Sequence, residues 1–265
     1  MRILSFSLLI ALVTACSVES NSSPSAVDPL IASKVTGTYA VRIQLSIDQN
    51  VPKKALSFLL PKTIKSSSYL YRLAKISEAN GQLQIEEKNC AVEGASKSIV
   101  DIKIKPETVQ LLPSSLTPLD AKEVNGKVTL TRGLVTQVLG AELSNIATSN
   151  LPTNPKDPQI VDIDNDGHPG ATSSVSGLVS GDIYFYQRSS NSYSATLAAN
   201  GDFVGPIVDK TEQVILGTTG LLPTVLNNGL TAATQDVSGK NEIRFVKIAD
   251  DSDCDAAYDA TLFPR

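Results

Sequence analysis

The chain has 265 residues, 23 of them Lys or Arg and 27 Asp or Glu, for a net charge of −4. It shows no basic patch, so nucleic acid is not an expected partner. One histidine and no cysteine cluster exclude the usual zinc sites, and the absence of tryptophan weakens the case for a sugar-stacking cleft.

Residues 1–16 come first in the chain and carry the most information. Met1-Arg2 is followed by the apolar run Ile3 to Leu12 and then by Val13-Thr14-Ala15-Cys16. A cation, a short greasy stretch and small residues before a processing point make an export signal. The run is too short to span a bilayer permanently. With Cys16 directly after Thr14-Ala15, the segment resembles the lipobox of bacterial lipoproteins. That resemblance implies that the Cys16 thiol receives a diacylglycerol, that residues 1–15 are cut away, and that the new amino terminus is acylated. At about 0.8 kcal/mol per buried methylene, such chains hold a protein on a membrane almost permanently. Ser17, where Asp would mark inner-membrane retention, implies the outer membrane of a two-membrane cell. Residues 16–34 are polar and Ser-rich, with little to bury, and read as a flexible tether. A single β-rich domain is expected over 35–265.

Within that domain Tyr39 to Ile47 is the clearest strand. Val41, Ile43, Leu45 and Ile47 share one face; Arg42, Gln44 and Ser46 share the other. That is period two, the mark of a strand with one buried face. Lys53–Leu60 is expected as a short helical turn. Tyr69–Ile76 and Gln82–Glu87, joined around Ala79-Asn80-Gly81, read as a hairpin. Further strands are expected at Ser98–Lys105, Thr108–Leu112, Lys127–Thr131, Asp182–Arg188, Tyr193–Ala198, Gln213–Leu216 and Glu242–Ile248. Leu134, Val135, Val138, Leu139, Leu143 and Ile146 match one face of a helix, with Gly140 against it. Many short strands and one or two short helices predict a mainly β fold, an antiparallel barrel or a sandwich. Tyr184 and Tyr186 share a strand face, as packing aromatics or as the lining of a pocket.

Residues 162–173 carry the chemical motif. Asp162, Asp164 and Asp166 alternate, and Gly167 follows at once. Calcium takes six to eight oxygens, and a tight turn lets alternate carboxylates converge, with the backbone carbonyl of His168 as a further donor. The loop resembles the first half of an EF-hand and the Asp-rich loops of dockerin and thrombospondin type 3 repeats. It departs from the EF-hand at Gly170 and Ser173, which stand where a ninth-position oxygen and a bidentate Glu would be. Pro158 and Pro169 argue against flanking helices. Further oxygens would have to come from outside, with Asp157 and Asp182 as candidates. The other reading is a turn held by side-chain to backbone hydrogen bonds. The acidic run Asp250 to Asp255 lacks a turn glycine and reads as a solvated segment.

Cys90 and Cys254 remain once Cys16 is assigned to lipid. In an oxidising compartment they are candidates for a disulfide; the alternative is two unpaired buried thiols, and geometry decides between them. No nucleophile elbow and no phosphate-cradling glycine loop occurs, so no catalytic residue is assigned. The expected function is a membrane-anchored extracytoplasmic domain, stabilised by calcium, that binds a small ligand or an envelope protein or serves structure. The alternative is a carboxylate-based envelope hydrolase, glycosidase-like, which needs only two acidic groups.

Overall fold

The structure, a computed structural model, describes residues 26–50, 63–95, 100–177, 180–220 and 234–263. Cys16 and the expected turn at Lys53–Leu60 lie outside the described residues. The strands are β1 (Gly37–Asn50), β2 (Thr63–Ala79), β3 (Gln82–Ala95), β4 (Val100–Ile104), β5 (Ser115–Val124), β6 (Lys127–Leu139), β7 (Ala171–Gly177), β8 (Gly181–Leu197), β9 (Phe203–Thr218), β10 (Thr234–Gln235) and β11 (Glu242–Ile248). Among the described residues three short helices accompany them: α1 (Pro29–Val35), α2 (Pro106–Gln110) and α3 (Cys254–Ala257), with a 3-10 turn at Ala260–Leu262. Among the described residues no helix is long and apolar enough to cross a membrane.

The pairings close on themselves. Going round, β1–β2–β3–β5–β6–β8–β9–β11 returns to β1, every contact antiparallel. Of barrel and sandwich, the chain forms the barrel, in which each strand of this ring pairs with a neighbour on both sides over at least part of its length. The β1, β2, β3, β8 and β9 strands are long, at 14 to 17 residues, and run through two tiers. The shorter strands share the remaining positions. On one edge of β3, β5 pairs with Leu83 to Glu87, while β4 takes Glu93 further up. On one edge of β8, β6 pairs with Gln187 to Thr196, while β7 takes Gly181 to Phe185. Below, β11 pairs with β1; above it, β10 does. Gln235 then ties β10 to β9 with its side chain: its Nε2 donates to the Ile207 carbonyl at 3.2 Å, and its Oε1 accepts from Asp209 N–H at 3.1 Å.

The lower tier is filled with apolar side chains. Tyr39, Val41, Ile43, Ile76, Leu83, Ile85, Leu130, Phe203, Ile243 and Phe245 pack as one buried cluster. Its end is closed by α1, whose Ala32 and Val35 join that cluster. Asp28 caps the helix by accepting from Leu30 N–H at 2.8 Å, and Pro29 occupies the first turn, where its missing donor costs nothing. Tyr39 donates its hydroxyl to the Val35 carbonyl at 2.8 Å. Residues 29–34 therefore belong to the barrel, although their polar neighbours to the N-terminal side predict tether. The β2–β3 and β5–β6 turns are two-residue Asn-Gly hairpins with positive φ at Asn80, Gly81, Asn125 and Gly126, the conformation that matches strand twist.

Two predicted elements are replaced. The helix expected from Leu134 onward is the end of β6, followed by a long loop. The strand expected at Thr108–Leu112 is largely α2, which starts on Pro106.

Candidate functional site

The acidic loop follows β6 and leads into β7. Its base is a short ladder: Ala141 bridges Ile160, Val161 N–H donates to the Gly140 carbonyl at 3.1 Å, and Ile163 N–H donates to the Gly170 carbonyl at 3.0 Å. Gly170 sits at φ +89°, and a Cβ there would lie 2.2 Å from the Phe185 carbonyl oxygen. Only glycine lets the loop lie so close to β8.

On this base Asp162, Asp164 and Asp166 converge, each offering a carboxylate oxygen within 4.8 Å of the other two. The backbone explains the convergence. Asn165 and Gly167 take positive φ, and Asp162 accepts from the N–H groups of Asp166 at 3.1 Å and Gly167 at 2.9 Å. Asp166 accepts from His168 N–H at 2.9 Å and from the Thr172 hydroxyl at 2.5 Å. Burial pushes the Asp166 carboxyl up, but these two hydrogen bonds, with the charges of His168 and Lys105, hold it below the ordinary carboxylate value. Asp164 accepts from Thr172 N–H at 2.9 Å through Oδ2, while its Oδ1 is buried without a hydrogen-bond partner among the described residues. A buried charged oxygen with no donor is costly, and a cation at the convergence point would relieve it. The residues present thus fit a hard metal ion.

Asp157 and Asp182 do not join this cluster. Asp157 caps its own turn, accepting from Gln159 N–H at 3.0 Å. Asp182 accepts from the Ser174 hydroxyl at 3.0 Å and from Thr219. The His168 ring stacks on Tyr184 at 4.0 Å. Tyr186 is buried and donates its hydroxyl to the Pro152 carbonyl. Both tyrosines therefore fasten the loop to the outside of β8 as packing aromatics.

The β1–β2–β3 wall is covered on its outer side by the C-terminal segment. Cys90 and Cys254 are joined by a disulfide across 164 residues of sequence. Arg42 donates to the Phe263 carbonyl at 3.0 Å and lies over the Phe263 ring, while Tyr71 meets Tyr258 edge-on at 4.9 Å. Within the acidic run, Asp253 caps α3 by accepting from Asp255 and Ala256 N–H.

The inside of the barrel holds a set of residues that the sequence reading did not single out. Between the tiers, Arg72 of β2, Glu87 of β3 and Arg132 of β6 are all buried and point inward. Glu87 accepts from Arg72 at 3.2 Å and from Arg132 at 2.6 Å, one oxygen to each. Arg72 Nε donates to Asn89 at 2.9 Å, and Asn89 donates to Gln137 at 3.2 Å. Arg132 also donates to the Asn191 carbonyl at 3.0 Å and lies over the Tyr193 ring at 4.6 Å. Asp209 of β9 stands at the same level, paired in register with Asn191. Burial raises its carboxyl above the ordinary value, against the pull of Thr211, Arg72 and Asn191.

Above this charged floor the inward positions change character. Leu45 and Leu70 face Ser189, Thr211 and Gln213 across the lumen, and all five are partly exposed. The upper tier thus carries partly exposed inward positions above an ionic floor, beside a buried apolar cluster of Leu139, Ala171 and Phe185, and stands on an apolar plug. The signal in the sequence is a charge at an apolar position of a period-two run. Arg72 falls between Leu70 and Ala74, Glu87 follows Leu83 and Ile85, and Arg132 follows Val128 and Leu130.

Comparison with protein families, with curated proteins and with solved structures finds no match to this chain.

Proposed function

We propose that this chain is a lipid-anchored binding protein of the bacterial envelope that takes a small ligand into the upper tier of its barrel. The observation that carries the reading is the contrast between the two tiers: one filled and plugged by α1, the other, which we read as a cup, with partly exposed inward positions at Leu45, Ser68, Leu70, Ser189, Thr211 and Gln213 above buried Arg72, Glu87 and Arg132. Concave sites with a few placed polar groups are where proteins hold small molecules. The anchor fits this arrangement. Described residues begin at the plugged end, with Val27 N–H on the Gly81 carbonyl at 2.8 Å, so the anchor joins the chain at the end opposite the cup. By the lipobox resemblance and Ser17, the outer membrane is its address. The hydrolase alternative has less behind it. Glu87 has both oxygens occupied by arginines, and His168 lies outside the barrel on Tyr184.

The test of the cup is thiol accessibility in the full chain carrying Cys16→Ser. Ser68→Cys places a thiol on an inward position above the floor. Expected is labelling by a small charged methanethiosulfonate within about tenfold of the rate at an exposed control such as Thr131→Cys. A thiol that stays unlabelled in the folded protein removes the cup.

For the acidic cluster we assign calcium, in a structural role. Oxygen-only ligands from a flexible loop suit calcium better than magnesium, and affinity in the range of extracellular modules, about 0.1–1 mM, is expected. Several millimolar calcium should then raise Tm by roughly 3–5 °C. The rise should vanish in Asp164→Asn. An unchanged Tm and no heat of binding at that concentration would exclude the ion.

A further inference from the structure

The floor of the cup has more donors than acceptors. Two guanidinium groups share the single carboxylate of Glu87. Arg72 commits Nε to Asn89 and Nη1 to Glu87; among the described residues its Nη2 has no hydrogen-bond partner. Arg132 Nε and the Tyr193 hydroxyl are buried and likewise lack one. Gln137 accepts from Asn89 through Oε1, which leaves its own amide hydrogens to give. The second acidic group at this level, Asp209, already accepts from Thr211 at 2.7 Å and from Asn191. A buried guanidinium is stable only when its charge and its donors are matched. Its planar fork matches the two oxygens of a carboxylate.

The wall above decides the rest of the ligand. Leu45 and Leu70 offer a continuous apolar strip that rests on the lower core. Opposite them stand the hydroxyls and amides of β8 and β9. From Arg72 up to Ser66 the wall runs for roughly 20 Å of strand, enough for a medium-length hydrocarbon chain lying along it.

Resting on the reading of the upper tier as an open cup, we propose that its ligand is a small amphiphilic carboxylate. Its oxygens are taken by Arg72 and the neighbouring amide donors, and its hydrocarbon tail lies on Leu45 and Leu70. No covalent step is involved; the head group exchanges water for charge-assisted hydrogen bonds, and the tail loses apolar surface to the wall.

Isothermal titration of the full chain carrying Cys16→Ser tests this with three probes of one tail length: octanoate, 1-octanol and octyltrimethylammonium. Octanoate should bind, octanol at least about tenfold more weakly, and the ammonium should give no heat. Removing a charge-assisted pair with Arg72→Gln should weaken octanoate by about tenfold or more. Asp209→Asn, which removes the competing negative charge, should tighten it several-fold. The second variant acts in the opposite direction, so a poorly folding Arg72→Gln leaves the test intact. Octanol binding as well as octanoate, or octanoate indifferent to both variants, overturns the carboxylate assignment. So does the absence of octanoate heat in a protein whose Ser68→Cys thiol labels rapidly, and in that case the cup itself survives. An unlabelled thiol removes the cup and this ligand with it.

Discussion

Glu87 is the residue on which the barrel interior turns. It is 1% exposed and holds two guanidinium groups, one from the neighbouring β2 and one from β6, two strands away. Burying such a set has a large desolvation cost, so its worth lies in being complete. Glu87→Gln should lower the unfolding free energy by about 3–5 kcal/mol, read from denaturant midpoints at unchanged slope. Glu87→Met alone would do no better, since it strands the same two charges. Asp209 behaves in the opposite sense. Its carboxyl is raised by burial, against Thr211, Arg72 and Asn191. A carboxyl whose pKa is higher folded than unfolded gives stability that is fully present below the unfolded value, about 3.9. That stability is lost as pH rises through the folded value. Asp209→Asn should therefore raise Tm at pH 7, and the gain should shrink as the pH falls toward the ordinary carboxylate range. A lower Tm for Asp209→Asn at pH 7 would mean that its pairing with Arg72 outweighs its burial.

At the scale of elements, strands whose inner face is apolar and outer face polar were legible: Tyr39 to Ile47 lies within β1, and Glu242–Ile248 is β11. The end of β6 was not. The β6–β8 register shifts between Arg132 and Val135, so the inward phase moves from even to odd positions. Leu134 is left exposed, at 64%, while Val135 and Leu139 continue inward. Two strand phases in succession imitate a helical face, and only the partner strand reveals the bulge. Thr108 and Val109 were misread for a different reason, since Pro106 can open a helix as well as end a strand. The acidic cluster was legible because its residues are neighbours in sequence. Arg72, Glu87 and Arg132 come from three strands, and each alone is merely a break in alternation. The loop offers its own test. Gly167 and Gly170 both have positive φ, but a Cβ at Gly167 meets nothing within 4 Å, while at Gly170 it meets β8 backbone. Gly167→Ala should cost only the conformational term, about 1–3 kcal/mol. Gly170→Ala should cost clearly more and should also abolish any calcium-dependent rise in Tm. Equal losses would show that the close approach to β8 is not what fixes this glycine.

Taken whole, the molecule is a barrel stabilised at one end from within and along one wall from without. α1 closes the lower tier, and the segment from Cys254 to Phe263 straps the outside of β1, β2 and β3. The strap has two kinds of fastening. One is packing, through Ala257, Phe263 and the Tyr71–Tyr258 contact. The other is the disulfide to Cys90, which sits in the β2–β3 irregularity next to Asn89. Sequence could name the two cysteines but not their pairing, because 164 residues separate them and only the closed barrel brings β3 beneath the strap. Closing so long a loop limits the unfolded chain by about 5 kcal/mol on entropy alone. Cys90→Ser with Cys254→Ser should therefore lower stability by several kcal/mol, with about 5 kcal/mol as the ceiling. Packing remains in the double variant, so the ring of strands should persist at room temperature with an unchanged far-ultraviolet spectrum. Native-state hydrogen exchange separates the two fastenings. Protection should fall first and furthest in 254–263, then in β3 beside residue 90, and least in the β8–β9 ladder on the far side of the barrel. Uniform loss of protection would instead make strap and barrel a single cooperative unit, with the disulfide acting only through the unfolded state.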